Sequence, residues 1–268
     1  MIIFPARESE SMQKITLLIP CHNEESGLGK VLEQVPYEMF KKIGFEIETI
    51  VIDNNSTDKT SEIAKSFDIK VIHEKKQGKG NALVAGFNAV SSDTKYIVMM
   101  DGDNTYKPHE MLRLIEPLHH DFCDVVVGSR LSGKMLDNSL RFSNRLANWG
   151  YTFLVRQFYF ANVTDVLSGY FAWKKSAIDD LVPHIKSNGF SIEMEMITKM
   201  VRLGHDIASV PITYDKREGE TKINPFRDGV NILFMFFRNL FWKPRNRTRE
   251  KVTTLKISNL ANPEFVEE

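Results

Sequence analysis

No apolar run in the 268-residue sequence reaches the roughly 18 to 20 residues needed to cross a bilayer, so no transmembrane span is expected. Neither sign of charge is in excess: 35 Lys and Arg face 35 Asp and Glu, which removes the overall electrostatic case for nucleic acid or for a strongly acidic partner. Cysteine is scarce. Cys21 and Cys123 lie far apart, at or near expected strands, and read as buried reduced thiols rather than a bridge, which fits a reducing compartment. Residues 1–13 lack the basic segment, apolar core and small-residue cleavage site of a signal peptide and are read as an N-terminal extension. Internal repeats and low-complexity tracts are also missing. What is present is a 42% apolar fraction, enough for a core that needs no covalent staples.

The organising stretch is residues 96–105, YIVMMDGDNT, where a β-branched apolar run ends in two carboxylates separated by a glycine. A buried strand would deliver Asp101 and Asp103 to a sheet edge, with Gly102 easing the backbone between them. Mg²⁺ or Mn²⁺ favours such oxygen ligands and keeps positions open for water or phosphate. An Asp-x-Asp alone is equally a turn, and it gains weight from what lies upstream.

From residue 14 short apolar runs alternate with amphipathic stretches, the pattern of an α/β fold with a mostly parallel sheet covered by helices. Strands are expected at 15–20, 45–53, 69–73, 96–100, 124–128 and 207–214. Asn23 is placed to cap a helix reaching about Val35, and a basic glycine-rich loop at 75–81 opens another helix whose free N–H groups suit an anion. In open α/β sheets ligands sit beyond the carboxyl ends of the strands, so Asn23, Asp53, the Gly78 loop and Asp101 can converge on one crevice. Further on, a helix at 139–157 would put Arg141 and Arg145 on one face, 163–173 reads as extended, and a helix at 191–203 presents Glu193 and Glu195. The polar loop 216–222 has the make-up of a functional one. Residues 229–242 are too short to span a membrane yet dense in Phe, Leu, Ile and Trp, with Arg238, Lys243, Arg245, Arg247 and Arg249 at their end. That composition suits an interfacial helix, and equally one covering the core or a partner protomer. The expected division is therefore a domain at 14–225, an amphipathic helix with a basic segment at 226–250, and a polar tail at 251–268.

Six ordered motifs carry a resemblance over residues 14–222: PCHNE from Pro20, VIDNNSTDKT from Val51, GKGNA from Gly78, MDGD from Met100, GSR ending at Arg130, and REGETK from Arg217. Together they resemble family 2 glycosyltransferases of the GT-A fold, and within them the dolichyl-phosphate or polyprenyl-phosphate sugar synthases. The resemblance implies a Rossmann-like sheet with a C-terminal amphipathic helix. It places Pro20, Asn23, Glu24, Asp53, Asn55, Gly80, Asn81, Asp101 and Gly102 around the nucleotide, and Mg²⁺ or Mn²⁺ on Asp101 and Asp103. Where some relatives carry a glutamine this sequence has Thr105, so water or Thr105 itself would complete the metal's shell.

Arg217 and Lys222 are the candidates to meet the charge of the leaving diphosphate, and closure of their loop would exclude water. A lipid phosphate is already anionic and needs cations rather than a base, a role that falls to Arg130, Arg141 and Arg145 beside Ser139 and Asn144, with Asp165 orienting an arginine or the sugar. Should Glu195 or Asp165 act as a base, the acceptor would instead be a hydroxyl of a glycan or glycolipid. A nucleotide-sugar-binding subunit without turnover is the third alternative. The expected activity is inverting transfer of a hexose, from a UDP-sugar in preference to GDP-mannose, to polyprenyl phosphate. The setting implied is peripheral contact with the cytoplasmic face of a membrane, with a homo-oligomer open and no nucleic acid involved.

Overall fold

The computed structural model describes residues 12–136 and 139–244. Most of the N-terminal extension, the polar tail, and Arg245, Arg247 and Arg249 of the basic segment lie outside the described residues. In chain order the elements are β1 (Gln13–Cys21), α1 (Leu28–Glu33), α2 (Tyr37–Lys42), β2 (Phe45–Asp53), α3 (Thr60–Ser66), β3 (Lys70–His73), α4 (Lys79–Asn88), β4 (Thr94–Met100), α5 (Met111–His119) and β5 (Val125–Met135). Then follow α6 (Phe142–Tyr159), β6 (Tyr170–Lys174), α7 (Lys175–Leu181), α8 (Ile192–Leu203), β7 (Ile207–Tyr214) and α9 (Pro225–Leu240).

The strands form one sheet in the order β3-β2-β1-β4-β6-β5-β7. Every pairing is parallel except those of β6, which runs antiparallel to both neighbours. Strand alternation divides the core between the two faces. Leu17, Ile19, Val98 and Met100 pack with Leu28 and Val31 of α1 and Leu114 and Ile115 of α5, whereas Leu18, Ile97 and Met99 pack with Leu83 and Phe87 of α4 and with α8 and α9. Cys21 and Cys123 are free and buried.

Four local expectations need correction. Asn23 does not cap α1, which starts five residues later after Gly27. It adopts φ 53°, and its Oδ1 accepts from Thr57 N–H at 2.7 Å, so it staples the loop after β1 to the loop after β2. The expected extended segment 163–173 contributes only Tyr170–Lys174 to the sheet. Because β6 is antiparallel, with Tyr170 beside Met100, the segment ahead of it arrives at the edge where β4 ends. Finally, α6 begins at Phe142, and Arg141 at its N-cap has ψ 140°, so Ser139 and Arg141 precede the helix and Arg141 is not phased with Arg145. The last helix begins earlier than expected, at Pro225, where Asn224 Oδ1 accepts from Arg227 N–H at 3.1 Å.

Candidate active site

The carboxyl ends of β1, β2 and β4 meet the start of β6 at one edge of the sheet, as its pairings require. Asp103 is 1% exposed there. Its Oδ1 accepts from Thr105 Oγ1 at 2.6 Å and Thr105 N–H at 3.2 Å, so Thr105, itself buried, orients this acid. Oδ2 is left without a hydrogen bond and lies 2.5 Å from an Arg217 guanidinium nitrogen. Burial pushes the Asp103 carboxyl above its ordinary pKa and the Asp101 charge adds to this, against the opposing pull of Arg217 and Thr105. Gly102 is not a turn glycine: its φ is not in the left-handed region, and a Cβ there would stand 2.6 Å from Cys21 Sγ. The positive φ belongs to Asn104.

Loop 215–222 lies across this acid pair. Glu218 N–H donates to the Asp103 carbonyl at 3.1 Å, Lys30 pairs with Glu218 at 2.5 Å and Lys107 with Asp215 at 2.8 Å. Lys222 Nζ reaches Glu24 Oε1 at 2.8 Å and the Asn23 carbonyl at 2.7 Å, and Arg217 lies 3.6 Å from Glu24. Burial raises the Glu24 carboxyl even so, against both cations. The expected pair Arg217 and Lys222 thus faces the expected acids Asp103 and Glu24 directly.

Asp53, 5% exposed, accepts from Ser56 N–H at 3.1 Å and lies 3.1 Å from His73 Nδ1. Asn55, with φ 58°, is exposed beside it, and Pro20 is half-buried at the end of β1. Asn54, which the motifs did not single out, fastens the basic loop by donating to the Glu74 and Lys76 carbonyls at 3.1 and 2.8 Å and accepting from Gly78 N–H at 2.6 Å. Gly80 has a packing reason for its size, since a Cβ would overlap the Ser187 carbonyl. Asn81 N–H points to the Asn188 carbonyl at 3.4 Å. Between them and the acids sits Lys79, also missed by sequence reasoning, with Nζ 2.7 Å from Asp101 Oδ1; its only signal was a lysine flanked by glycines at a helix start.

Arg130 is buried and locked: Nε donates to Asp165 Oδ2 at 2.8 Å and Nη2 to Asp165 Oδ1 at 2.9 Å and to the Leu167 carbonyl at 2.5 Å. Asp165, fully buried, also accepts from Asn148 Nδ2 at 2.6 Å, so the acid orients the arginine. The Arg130 guanidinium also lies 5.2 Å from the Tyr214 ring centroid. Tyr106, another unforeseen residue, packs edge-on against Tyr170 and Tyr214, and its hydroxyl accepts from Gly169 N–H at 2.7 Å. Arg141 and Arg145 are exposed and are not brought to the acid pair, while Ser139 Oγ is buried without a partner.

Glu195 does not stand as a base. It is fully buried, accepts from Lys186 and Ser187 N–H groups at 3.0 and 2.6 Å, and pairs with Lys199 at 2.6 Å and Arg238 at 3.1 Å. Arg238, though exposed over more than a third of its side chain, is thereby tied back to Glu195. Glu193 is buried too, with Lys79 at 2.7 Å.

A mostly parallel sheet with an acid pair beyond the end of a central strand is the GT-A architecture, and this arrangement defines the class. The chain belongs to glycosyl transferase family 2, whose model matches residues 16–182. It is 30% identical over 231 residues to glycosyltransferase AglJ of Haloferax volcanii, covering 84% of this chain and 71% of that protein. The dolichyl-phosphate hexose transferase of the same organism is 32% identical over 218 residues, covering 81% and 90%. Among solved structures, glucosyl-3-phosphoglycerate synthase from Mycobacterium tuberculosis, in complex with Mn²⁺, UDP and phosphoglyceric acid, superposes with a TM-score of 0.66 at 20% identity over 91% of this chain and 89% of that one. The fold expectation and the family expectation both hold.

Proposed function

We propose that this glycosyltransferase moves a hexose from a nucleoside-diphosphate sugar to dolichyl or polyprenyl phosphate, with inversion. The observation that carries the reading is an acid pair, Asp103 buried and Asp101 half-buried, and a cationic loop meeting at one sheet edge, with Arg217 on Asp103 and Lys222 on Glu24. The donor set fits a divalent cation: Asp103 Oδ2 is buried with no hydrogen bond and only the Arg217 guanidinium beside it at 2.5 Å, and Asp101 lies two residues back in the chain. Asp101 and Asp103 would hold Mg²⁺ or Mn²⁺, which when bound neutralises charge on the donor's diphosphate.

The chain's own residues do the rest. Asp53, Asn23 and Glu24 offer acceptors for base and ribose along the loops after β1 and β2, with Pro20, Asn55, Gly80, Asn81 and Gly102 shaping the same edge. Arg217 and Lys222 pass from their carboxylates to the diphosphate and meet the negative charge it gains on leaving. Their loop then shields the reacting centre from water. On the acceptor side, Arg130 is held by Asp165, and the exposed Arg141 and Arg145 at the start of α6 are the candidates for further contacts to a lipid phosphate, whereas the buried Ser139 Oγ is withdrawn from that role.

Such an acceptor needs no base. That agrees with Glu195, whose buried ion pairs remove it from the role the hydroxyl-acceptor alternative gave it. A UDP-sugar is the donor favoured by this reading, supported by the UDP that the mycobacterial enzyme carries in the same fold.

Peripheral membrane contact is supported by two helices. On α9, Ile232, Met235 and Phe236 are buried while Phe226, Val230, Phe234, Phe237 and Phe241 are exposed, so this helix covers the core with one face and leaves an apolar stripe on the other. Beside it, α6 exposes Phe142, Leu146, Trp149 and Phe153, at spacings that share a face. The helices are joined by hydrogen bonds from Tyr151 Oη to the Gly229 carbonyl at 3.0 Å and from Tyr159 Oη to the Phe236 carbonyl at 2.7 Å. No helix among the described residues is long and apolar enough to cross a membrane. The test is transfer of radiolabelled sugar from UDP-glucose, UDP-N-acetylglucosamine and GDP-mannose to polyprenyl phosphate and, in parallel, to neutral polyprenol. Labelled lipid is expected with the phosphate alone; equal transfer to polyprenol would overturn the acceptor assignment.

A further inference from the structure

Lys79 has two counter-ions where one would suffice. Its ammonium lies 2.7 Å from Asp101 Oδ1 and 2.7 Å from Glu193 Oε1. Glu193 stands in the first turn of α8, more than a hundred residues along the chain from Lys79, and only 5% of it is exposed. Burying a further carboxylate near Asp101 is costly unless it is paired, and Lys79 is the partner that both acids share. The geometry on the other side of Asp101 is equally confined: Gly169 packs so closely on Oδ2 that a Cβ there would overlap the carboxylate. Asp101 is thus held with one oxygen on the Lys79 ammonium.

We propose that Glu193 is a positioning residue that shares the Lys79 ammonium with Asp101 and so sets how readily Asp101 accepts a divalent cation. The inference rests on the assignment of Asp101 and Asp103 as the cation's ligands. An ammonium and a divalent cation compete for the same carboxylate, and the ammonium yields more easily when a second anion stands within contact distance. Glu193 supplies that second anion without touching Asp101 through a hydrogen bond of its own. Remove its charge, and Asp101 becomes the undivided counter-ion of Lys79 and a poorer ligand. Remove the charge of Lys79, and the competitor is gone. The two changes act in opposite directions on cation affinity, which a merely structural ion pair would not do.

The test is Mn²⁺ titration of the purified chain without sugar donor, read from the electron paramagnetic resonance signal of free Mn²⁺, with thermal melting to confirm that each variant is folded. Glu193→Gln is expected to weaken Mn²⁺ binding on the order of tenfold, and Lys79→Met to tighten it several-fold. Should Lys79→Met leave buried Glu193 too exposed to repulsion to fold, the double variant Lys79→Met/Glu193→Gln carries neither charge and is expected to bind Mn²⁺ more tightly than the parent. Lys79→Arg keeps the charge and is expected to stay near the parent value. Shifts of the same sign in Glu193→Gln and the Lys79 variants, or none in either, overturn the proposal. If the parent chain takes up no Mn²⁺ with or without UDP, the cation reading itself fails, and the inference with it.

Discussion

At the scale of single residues, Asp103 is the acid most closely controlled by its neighbours. Thr105 holds one oxygen at 2.6 Å and the other, buried, carries no hydrogen bond. The sequence offered Thr105 as a substitute metal ligand; in the structure its hydroxyl and N–H both donate to Asp103 and orient it. Thr105→Val keeps the shape and deletes the hydroxyl, leaving a buried carboxylate oxygen short of a donor, which costs about 1–3 kcal/mol. The expected outcome is a fall in kcat at saturating cation together with a lower Tm, read from steady-state transfer and thermal melting. The acids and cations of the site were legible because each sits in a short motif. Lys79, Asn54, Tyr106 and the Arg238 partner of Glu195 were not, since their contacts join residues far apart in the chain and no local spacing encodes them.

At the scale of elements, the strands were readable from their apolar runs, and the misplacements fell where side chains overrode local pattern. Asn23 looked like a helix cap and instead bridges two loops through Thr57 N–H. Helix α8 looked like a carrier of a base, yet Glu195 ties it to α9 through Arg238 and to the 186–187 backbone. Glu195→Ala strands the Lys199 ammonium, which is 2% exposed, and breaking such a buried pair costs about 3–5 kcal/mol. Urea titration is expected to show that loss, while Glu195→Gln, which keeps two of the accepting contacts, loses less.

A second element-level prediction concerns Asp124, where β5, β6 and β7 are joined. Burial would raise its carboxyl pKa, but His205, Lys174 and the Asp206 N–H hold it well below the ordinary range. A carboxylate with a depressed folded pKa contributes stability above its unfolded value of about 3.9 and loses it as pH falls from there through the folded pKa. Asp124→Asn is therefore expected to lower stability at neutral pH and to flatten the acid limb of a Tm-versus-pH curve below about pH 4, with little change in slope above it.

At the scale of the whole molecule, the sheet edge that gathers the acids is one surface of note, and the exposed apolar stripes of α6 and α9 are a second. The sequence disclosed the α9 stripe by composition. It hid the one on α6, whose residues 142–157 drew notice for arginines while Trp149 and Phe153 stack at 5.9 Å on its exposed face. Each aromatic side chain buried in an acyl boundary contributes about 1.5–3 kcal/mol, so several acting together would suffice for the proposed membrane association. Trp149→Ser/Phe153→Ser/Phe234→Ser/Phe237→Ser is expected to abolish flotation with anionic liposomes while keeping transfer to a short, water-soluble isoprenyl phosphate. Undiminished flotation would place the contact elsewhere.

The proposal that Asp101 and Asp103 hold a divalent cation is most directly probed by sugar transfer from radiolabelled donor to polyprenyl phosphate, measured in Mn²⁺, after chelation, and in Asp101→Asn/Asp103→Asn. Transfer is expected to collapse on chelation, to return with added Mn²⁺ or Mg²⁺, and to be absent from the double variant. Full-rate transfer by the chelated protein or by the double variant would contradict the account.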